Sequence, residues 1–170
     1  IRVIGNGPLF GYVDLSGFST ELGSTRESDL KVRRKIIDVE TGKEAMQFRR
    51  GGLYEVVLSG TIETEIENLL LTDILPAGFE PENPRMWAYE LKPDHSEIRD
   101  DRVLLFHTEP LSGAFKFAYR MRAVFPGTYV RPPLIAESLY DPGMMSRLGE
   151  KGAAGARSIN YRSAGTVEFL

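Results

Sequence analysis

The segment from Ala114 to Phe125 alternates apolar and polar side chains, and this alternation constrains the fold more than any other part of the sequence. Successive side chains of a β-strand point to opposite faces, whereas a helix would spread the aromatic residues around its whole circumference. The pattern therefore predicts a long strand with one face on a core, ended by a Pro-Gly turn at 126–127. The residues predicted to face the core are Phe115, Phe117, Tyr119, Met121, Ala123 and Phe125.

Shorter segments with a similar pattern recur along the chain, separated by turn-forming residues. Together they predict an all-β fold, an antiparallel immunoglobulin-like β-sandwich of about eight or nine strands. Prolines cannot donate ladder hydrogen bonds, so Pro132 and Pro133 are expected on an edge strand or at a bend. The other predicted strands are Leu9–Phe18, Leu30–Val39, Tyr54–Ile62, Leu69–Leu75, two short strands between Ile98 and His107, Thr128–Val130, Leu134–Leu139 and Thr166–Leu170.

The sequence is interpreted as one domain over residues 1–170. A hydrophobic fraction of 42% in 170 residues is enough for one sizeable core. The stretch Gly149–Gly155 is flexible by composition, so a flexible loop is predicted at about 143–160, before a last strand. The chain opens with Ile1, which suggests a mature chain or a domain of a larger protein.

Charge and composition exclude several functional classes. Lys and Arg number 21 and Asp and Glu number 24, a formal net charge of −3. Nucleic acid or an anionic membrane surface would need a basic surplus, so neither partner is expected. The absence of cysteine excludes disulfides, thiolate nucleophiles, zinc ribbons and iron–sulfur sites. Apolar runs are only a few residues long, so no direct membrane insertion is expected.

A few side chains suggest chemistry, but none has the spacing that a reaction needs. His95 lies in a polar stretch and His107 ends a predicted strand, with no paired-histidine spacing for a metal. The alternating glutamates within 63–67 are expected on a solvated strand face. A hydrolase using His107 or the Asp100-Asp101 pair would need those groups in one cleft. The sequence predicts no catalytic residue, no metal and no cofactor.

Two segments suggest binding. Trp87, with Met86 and Tyr89, resembles a ligand-stacking platform, so a free-standing adhesion or glycan-binding module of the cell envelope is an alternative function. The segment Tyr129–Pro142 combines rigid prolines with apolar and aromatic residues. It is typical of an edge strand on which a partner docks.

Several of these segments, in this order, resemble bacterial alpha-2-macroglobulin-like proteins over about residues 1–142. The resemblance is to their C-terminal macroglobulin domain, the MG10 or receptor-binding-like domain, which implies a non-catalytic β-sandwich. The segments that carry it are Gly7–Phe10, Ser16–Phe18, Leu75–Pro84, Asp100–Arg102, Tyr119–Tyr129 and Pro132–Pro142.

The resemblance implies a role within a protease trap. In that family a bait region is cleaved, the molecule rearranges, and a thioester in a separate helical domain bonds the protease covalently. The resemblance implies that the C-terminal domain packs on the thioester domain and shields the thioester from water until then. It also implies a periplasmic or cell-envelope protein, secreted or lipid-anchored, with trapped proteases and a penicillin-binding-type peptidoglycan synthase as partners of the parent protein.

The resemblance also indicates which residues contact the thioester domain. The family's Met-Tyr pair falls on Leu139 and Tyr140, so this chain has leucine where methionine is usual. The expected contact residues are Leu139, Tyr140, Tyr129, Pro132 and Pro133.

Overall fold

The computed structural model describes residues 25–82, 93–149 and 158–160. Those residues contain no helix, so the predicted all-β class is confirmed. Eight of their strands have four or more residues and three have three. In chain order the strands are β1 (Leu30–Asp38), β2 (Leu53–Ile66), β3 (Leu69–Ile74), β4 (Phe79–Pro81), β5 (His95–Arg99), β6 (Arg102–His107), β7 (Leu111–Ala123), β8 (Thr128–Val130), β9 (Leu134–Ser138), β10 (Met145–Leu148) and β11 (Ser158–Asn160).

The strands form two main antiparallel sheets that pack face to face. The first sheet has the order β1-β2-β7-β4 and the second has the order β10-β9-β3-β6-β5. β8 and β11 form a separate antiparallel pair. Only Glu67 and Asn68 connect β2 to β3, so the chain crosses from the first sheet to the second within two residues.

The alternation of β7 is confirmed over most of its predicted length. Its five odd-numbered side chains from 115 to 123 are at most 4% exposed and belong to the core between the sheets. Phe125 was predicted on the same face, and this prediction is wrong because the side chain is 59% exposed. β7 ends at Ala123, and the backbone N–H groups of Val124 and Phe125 then both point to the carbonyl oxygen of Gly78.

Most other predicted strands are confirmed where the structure describes them. β5 and β6 flank the Asp100-Asp101 turn, and the proline pair lies in the bend between β8 and β9. The predicted strands at 9–18 and 166–170 lie outside the described residues. β10 and β11 fall within the segment predicted as a flexible loop at about 143–160. β10 is a strand because it pairs with β9 and because the Ser146 side chain faces inward, where it is buried.

Three polar side chains from both sheets form a buried network. Tyr119 of β7 donates a hydrogen bond of 2.7 Å to Oδ2 of Asp73 on β3. Arg34 of β1 donates to Oδ1 of the same carboxylate through Nη1. The side chains of Arg34 and Asp73 are only 5% and 1% exposed. A buried charge is costly unless it is paired and hydrogen-bonded, and here each charge has its partner on the facing sheet.

Loss of the carboxylate in this network should destabilise the domain strongly. We expect Asp73→Ala to lower the free energy of unfolding by about 3–5 kcal/mol, because the Arg34 guanidinium would stay buried without its counter-ion. Urea unfolding at neutral pH measures this change. The control is Glu27→Ala, which removes a pair with the exposed Arg33 and should cost less than about 1 kcal/mol. Equal costs for the two variants would contradict the assignment.

Stability should fall in alkaline solution through Tyr119. Burial, reinforced by the nearby Asp73 carboxylate, raises the pKa of the Tyr119 hydroxyl well above its ordinary value. Because the folded pKa exceeds the unfolded one, this contribution is complete below about pH 10 and is lost as the pH rises further. We expect the urea midpoint to fall as the pH rises above about 10, with a smaller fall for Tyr119→Phe. Parallel falls in both proteins would refute this.

Candidate functional site

The loop that joins β9 to β10 carries two neighbouring exposed apolar side chains. Tyr140 is 82% exposed and Leu139 is 47% exposed, and both follow directly after the last residue of β9. Aromatic side chains that lie beside another apolar residue on a surface are typical of contact sites between protein surfaces. We call residues 139–144, which include this pair, the hairpin tip.

Local hydrogen bonds close the hairpin tip. Ser138 N–H donates to the Met144 carbonyl oxygen at 2.9 Å, and Met144 N–H donates to the Asp141 carbonyl oxygen at 3.0 Å. The Asp141 carboxylate accepts from Gly143 N–H at 2.9 Å. An aspartate that bonds the backbone two residues on, followed by Pro142 with its fixed φ, gives the loop a defined shape.

The link between β2 and β3 lies against the hairpin tip. Ser138 donates from its side chain to the Glu67 carbonyl oxygen at 3.0 Å. Leu139 N–H donates to the Asn68 carbonyl oxygen at 3.1 Å. Asn68 has a φ of 55°, in the left-handed region that asparagine tolerates better than most residues. The first sheet-to-sheet crossing therefore supports the end of β9.

An open groove of about 480 Å³ lies beside Tyr140. The acidic residues Glu65, Glu67 and Asp141 line it, and none of its described lining residues is lysine or arginine. Among residues 25–82, 93–149 and 158–160, no three His, Asp or Glu side chains are grouped so that they could hold a metal ion. The described residues that line the groove are Glu65, Ile66, Glu67, Asn68, Ser138, Tyr140 and Asp141.

The five contact residues predicted from the sequence separate into two groups. Leu139 and Tyr140 lie beyond one end of β9, whereas Tyr129, Pro132 and Pro133 lie before its other end. Five strand residues between the groups correspond to a separation of roughly 20 Å. The role of these residues as a contact site stays a prediction.

Tyr129 and Pro132 have structural partners within the domain. Tyr129 donates through its hydroxyl to the Pro126 carbonyl oxygen at 3.0 Å. Its ring covers Gly78 so closely that a Cβ atom there would be 2.2 Å from Cε2. Pro132 accepts a hydrogen bond of 2.6 Å from Nη2 of Arg34, so its carbonyl is tied to the buried network.

The histidines and the aspartate pair do not share a cleft. Asp100 and Asp101 lie at the turn before β6, and His107 lies at the other end of that strand. Nδ1 of His107 is 3.7 Å from Oδ2 of Asp94 and makes no hydrogen bond to it. Two hydrogen bonds from Thr108, one from its backbone and one from its side chain, hold the pKa of Asp94 below its usual value. His95 is exposed and lies against Phe106.

Some sequence predictions cannot be placed. The proposed stacking platform of Met86, Trp87 and Tyr89 lies outside the described residues.

Across residues 25–82, 93–149 and 158–160, no helix is long and apolar enough to cross a membrane.

The two facing antiparallel sheets define a domain of the β-sandwich class. Residues 30–143 match the family described as Bacterial Alpha-2-macroglobulin MG10 domain. The chain belongs to this family, as its sequence predicted.

Curated bacterial alpha-2-macroglobulins are similar to this chain in sequence. Alpha-2-macroglobulin of Xylella fastidiosa (strain 9a5c) is 30% identical over 162 residues, which cover 82% of this chain and 10% of that protein. Alpha-2-macroglobulin of Pasteurella multocida is 31% identical over 133 residues, 72% of this chain and 7% of that protein. The chain thus spans about a tenth or less of these relatives.

A solved structure of a bacterial alpha-2-macroglobulin has a similar fold over most of this chain. Native alpha-2-macroglobulin from Escherichia coli, spanning domain MG7 to the C-terminus, superposes with a TM-score of 0.72 at 26% identity. The match covers 86% of this chain and 25% of that one.

Sequence reasoning missed the residues that support the site from inside. Arg34 interrupts an apolar face formed by Leu30, Val32 and Ile36, and Asp73 likewise follows Leu69 and Leu71 on theirs. A charged residue at an inward position of a strand was the available signal. For Ser138 and Asn68 the sequence offers no comparable signal, because their contacts depend on how the sheets pack.

Gly78 should tolerate no side chain while Tyr129 is in place. We expect Gly78→Ala to lower the free energy of unfolding by about 1–3 kcal/mol, because the new methyl group overlaps the ring. Urea unfolding measures the cost in two backgrounds. In a Tyr129→Ala background the same change should cost clearly less. An undiminished cost there would mean that the clash is not with Tyr129.

Proposed function

We propose that this chain is the non-catalytic C-terminal macroglobulin domain of a bacterial alpha-2-macroglobulin-like protease trap. In the native parent protein the hairpin tip packs on the thioester domain and shields the thioester from water. Cleavage of the bait region then releases or repositions this domain. The parent acts in the periplasm or cell envelope, where it traps proteases and works alongside a penicillin-binding-type peptidoglycan synthase.

The exposed Tyr140 and Leu139 on a hydrogen-bonded tip are the observation that carries this proposal. A thioester is hydrolysed unless its surroundings exclude water, and a fixed aromatic side chain is suited to that task. An apolar pair at the end of a strand buries its surface only when another body covers it. Family membership supports such a body, because the chain matches a tenth or less of its relatives, whose remaining residues are enough for further domains.

The proposed role requires no reactive group in this domain. The chain has no cysteine, so it holds no thiol with which to form a thioester. Asp100 and Asp101 lie at the opposite end of β6 from His107, so these three groups do not share a cleft. These side chains fit a domain that covers, and later exposes, a reactive group on another domain of the parent protein.

Removal of the Tyr140 ring in the parent protein should expose the thioester. We expect Tyr140→Ala to speed methylamine attack about 10- to 100-fold. Burial of one large apolar side chain in the contact stabilises the covered state by about 1.5–3 kcal/mol, and this free energy is lost with the ring. Release of the thioester thiol, titrated over time, gives the rate. Leu139→Met, which introduces the family's usual residue, should leave the rate unchanged.

The control for this experiment is Phe125→Ala. Phe125 is also an exposed aromatic, at 59%, but it follows the far end of β7. Its removal should leave methylamine attack at the native rate. An unchanged rate for Tyr140→Ala, or an equal acceleration by Phe125→Ala, would overturn the shielding role.

A further inference from the structure

The hydroxyl of Ser138 makes a side-chain hydrogen bond between the end of β9 and the β2–β3 link. Ser138 is 8% exposed, and its Oγ donates to the Glu67 carbonyl oxygen at 3.0 Å. The next residue, Leu139, donates its N–H to the Asn68 carbonyl oxygen at 3.1 Å. These two bonds extend the pairing of β9 with β3, whose last pair is Leu69 with Ser138, one residue further onto the link.

This contact holds the backbone that carries the exposed side chains. Leu139 and Tyr140 are exposed, so packing within the domain contributes little to fixing their direction. Their direction is set by the backbone that carries them. A contact group held in its bound orientation loses less conformational entropy on binding than one that must be ordered first.

Asn68 enables the link to reach the tip. Its left-handed backbone, with a φ of 55°, turns its carbonyl oxygen to the Leu139 N–H. On the other side its own N–H donates to the Thr108 carbonyl oxygen at 3.3 Å. A residue with a β-branched side chain would be strained in this conformation, whereas glycine would adopt it freely.

We propose that Ser138 and Asn68 are positioning residues for Tyr140: they hold the hairpin tip in the orientation in which it covers the thioester. This inference rests on the proposed function. It adds that the shield is pre-ordered by the crossing between the sheets and is not shaped by contact with the thioester domain alone.

Ser146 provides a matched control for Ser138. Ser146 lies on the neighbouring strand β10, is 0% exposed and donates from its side chain to the Arg26 carbonyl oxygen at 3.2 Å. Both serines therefore make a long-range bond from a buried hydroxyl to a backbone carbonyl. Only that of Ser138 touches the link beside the tip.

The first measurement is hydrogen exchange of the Leu139 amide in the 170-residue chain, together with urea unfolding. We expect Ser138→Ala to speed exchange at Leu139 by about tenfold, from loss of one hydrogen bond at the tip. Ser146→Ala should leave this amide at its native rate while shifting the urea midpoint to a similar extent. Ser138→Thr keeps the hydroxyl and should restore slow exchange. Equal exchange rates in the two alanine variants would overturn the positioning role.

The second measurement is methylamine attack on the thioester of the parent protein. We expect Ser138→Ala and Asn68→Val to speed it about 3- to 10-fold, less than Tyr140→Ala, because the ring is still present but less well ordered. Ser138→Thr, Asn68→Gly and Ser146→Ala should remain at the native rate.

These outcomes separate the positioning role from the shielding role. Acceleration by Tyr140→Ala without acceleration by Ser138→Ala leaves the proposed function standing and overturns the positioning role. Failure of Tyr140→Ala to accelerate the reaction overturns both. Acceleration by Ser146→Ala equal to that by Ser138→Ala would mean that general destabilisation is the cause.

Discussion

The arrangement of the two sheets depends on one buried carboxylate. Asp73 is 0% exposed, and both partners of its oxygens, Arg34 and Tyr119, come from the facing sheet. Apolar contacts between sheets are non-directional, whereas a hydrogen-bonded ion pair has a defined geometry. Because Arg34 also bonds the Pro132 carbonyl, the same network sets where β9 begins. The strand that ends at the hairpin tip is therefore anchored at its start in the core.

Much of the fold was predictable because burial follows the period of two. The inward positions of β7, from Phe115 to Ala123, were identified from alternation alone. The prediction for Phe125 was wrong because alternation does not reveal where a strand ends. Here the hydrogen bonds to Gly78 turn the chain away after Ala123. β10 was missed because four residues are too few to show a period, and its existence depends on pairing with β9.

The candidate site was predictable only in part. The prolines and apolar residues of the segment Tyr129–Pro142 indicated a docking edge, but the choice of Leu139 and Tyr140 within it followed from a family resemblance. Residues near it in sequence, such as Tyr129 and Pro132, were grouped with it, but the length of an extended strand separates them. Ser138 reaches Glu67 across 71 residues of sequence. Contacts over such separations depend on sheet order, which a single sequence does not encode in any local pattern.

The acidic groove has a consequence for the domain in water. Tyr140 and Leu139 form an exposed apolar patch, and such a patch favours self-association when no other surface covers it. Glu65, Glu67 and Asp141 line the groove next to Tyr140 with charge of one sign. Two such tips that approach each other bring these carboxylates together, and the repulsion opposes self-association. The like charge of the groove thus opposes aggregation through a tip that no other domain covers.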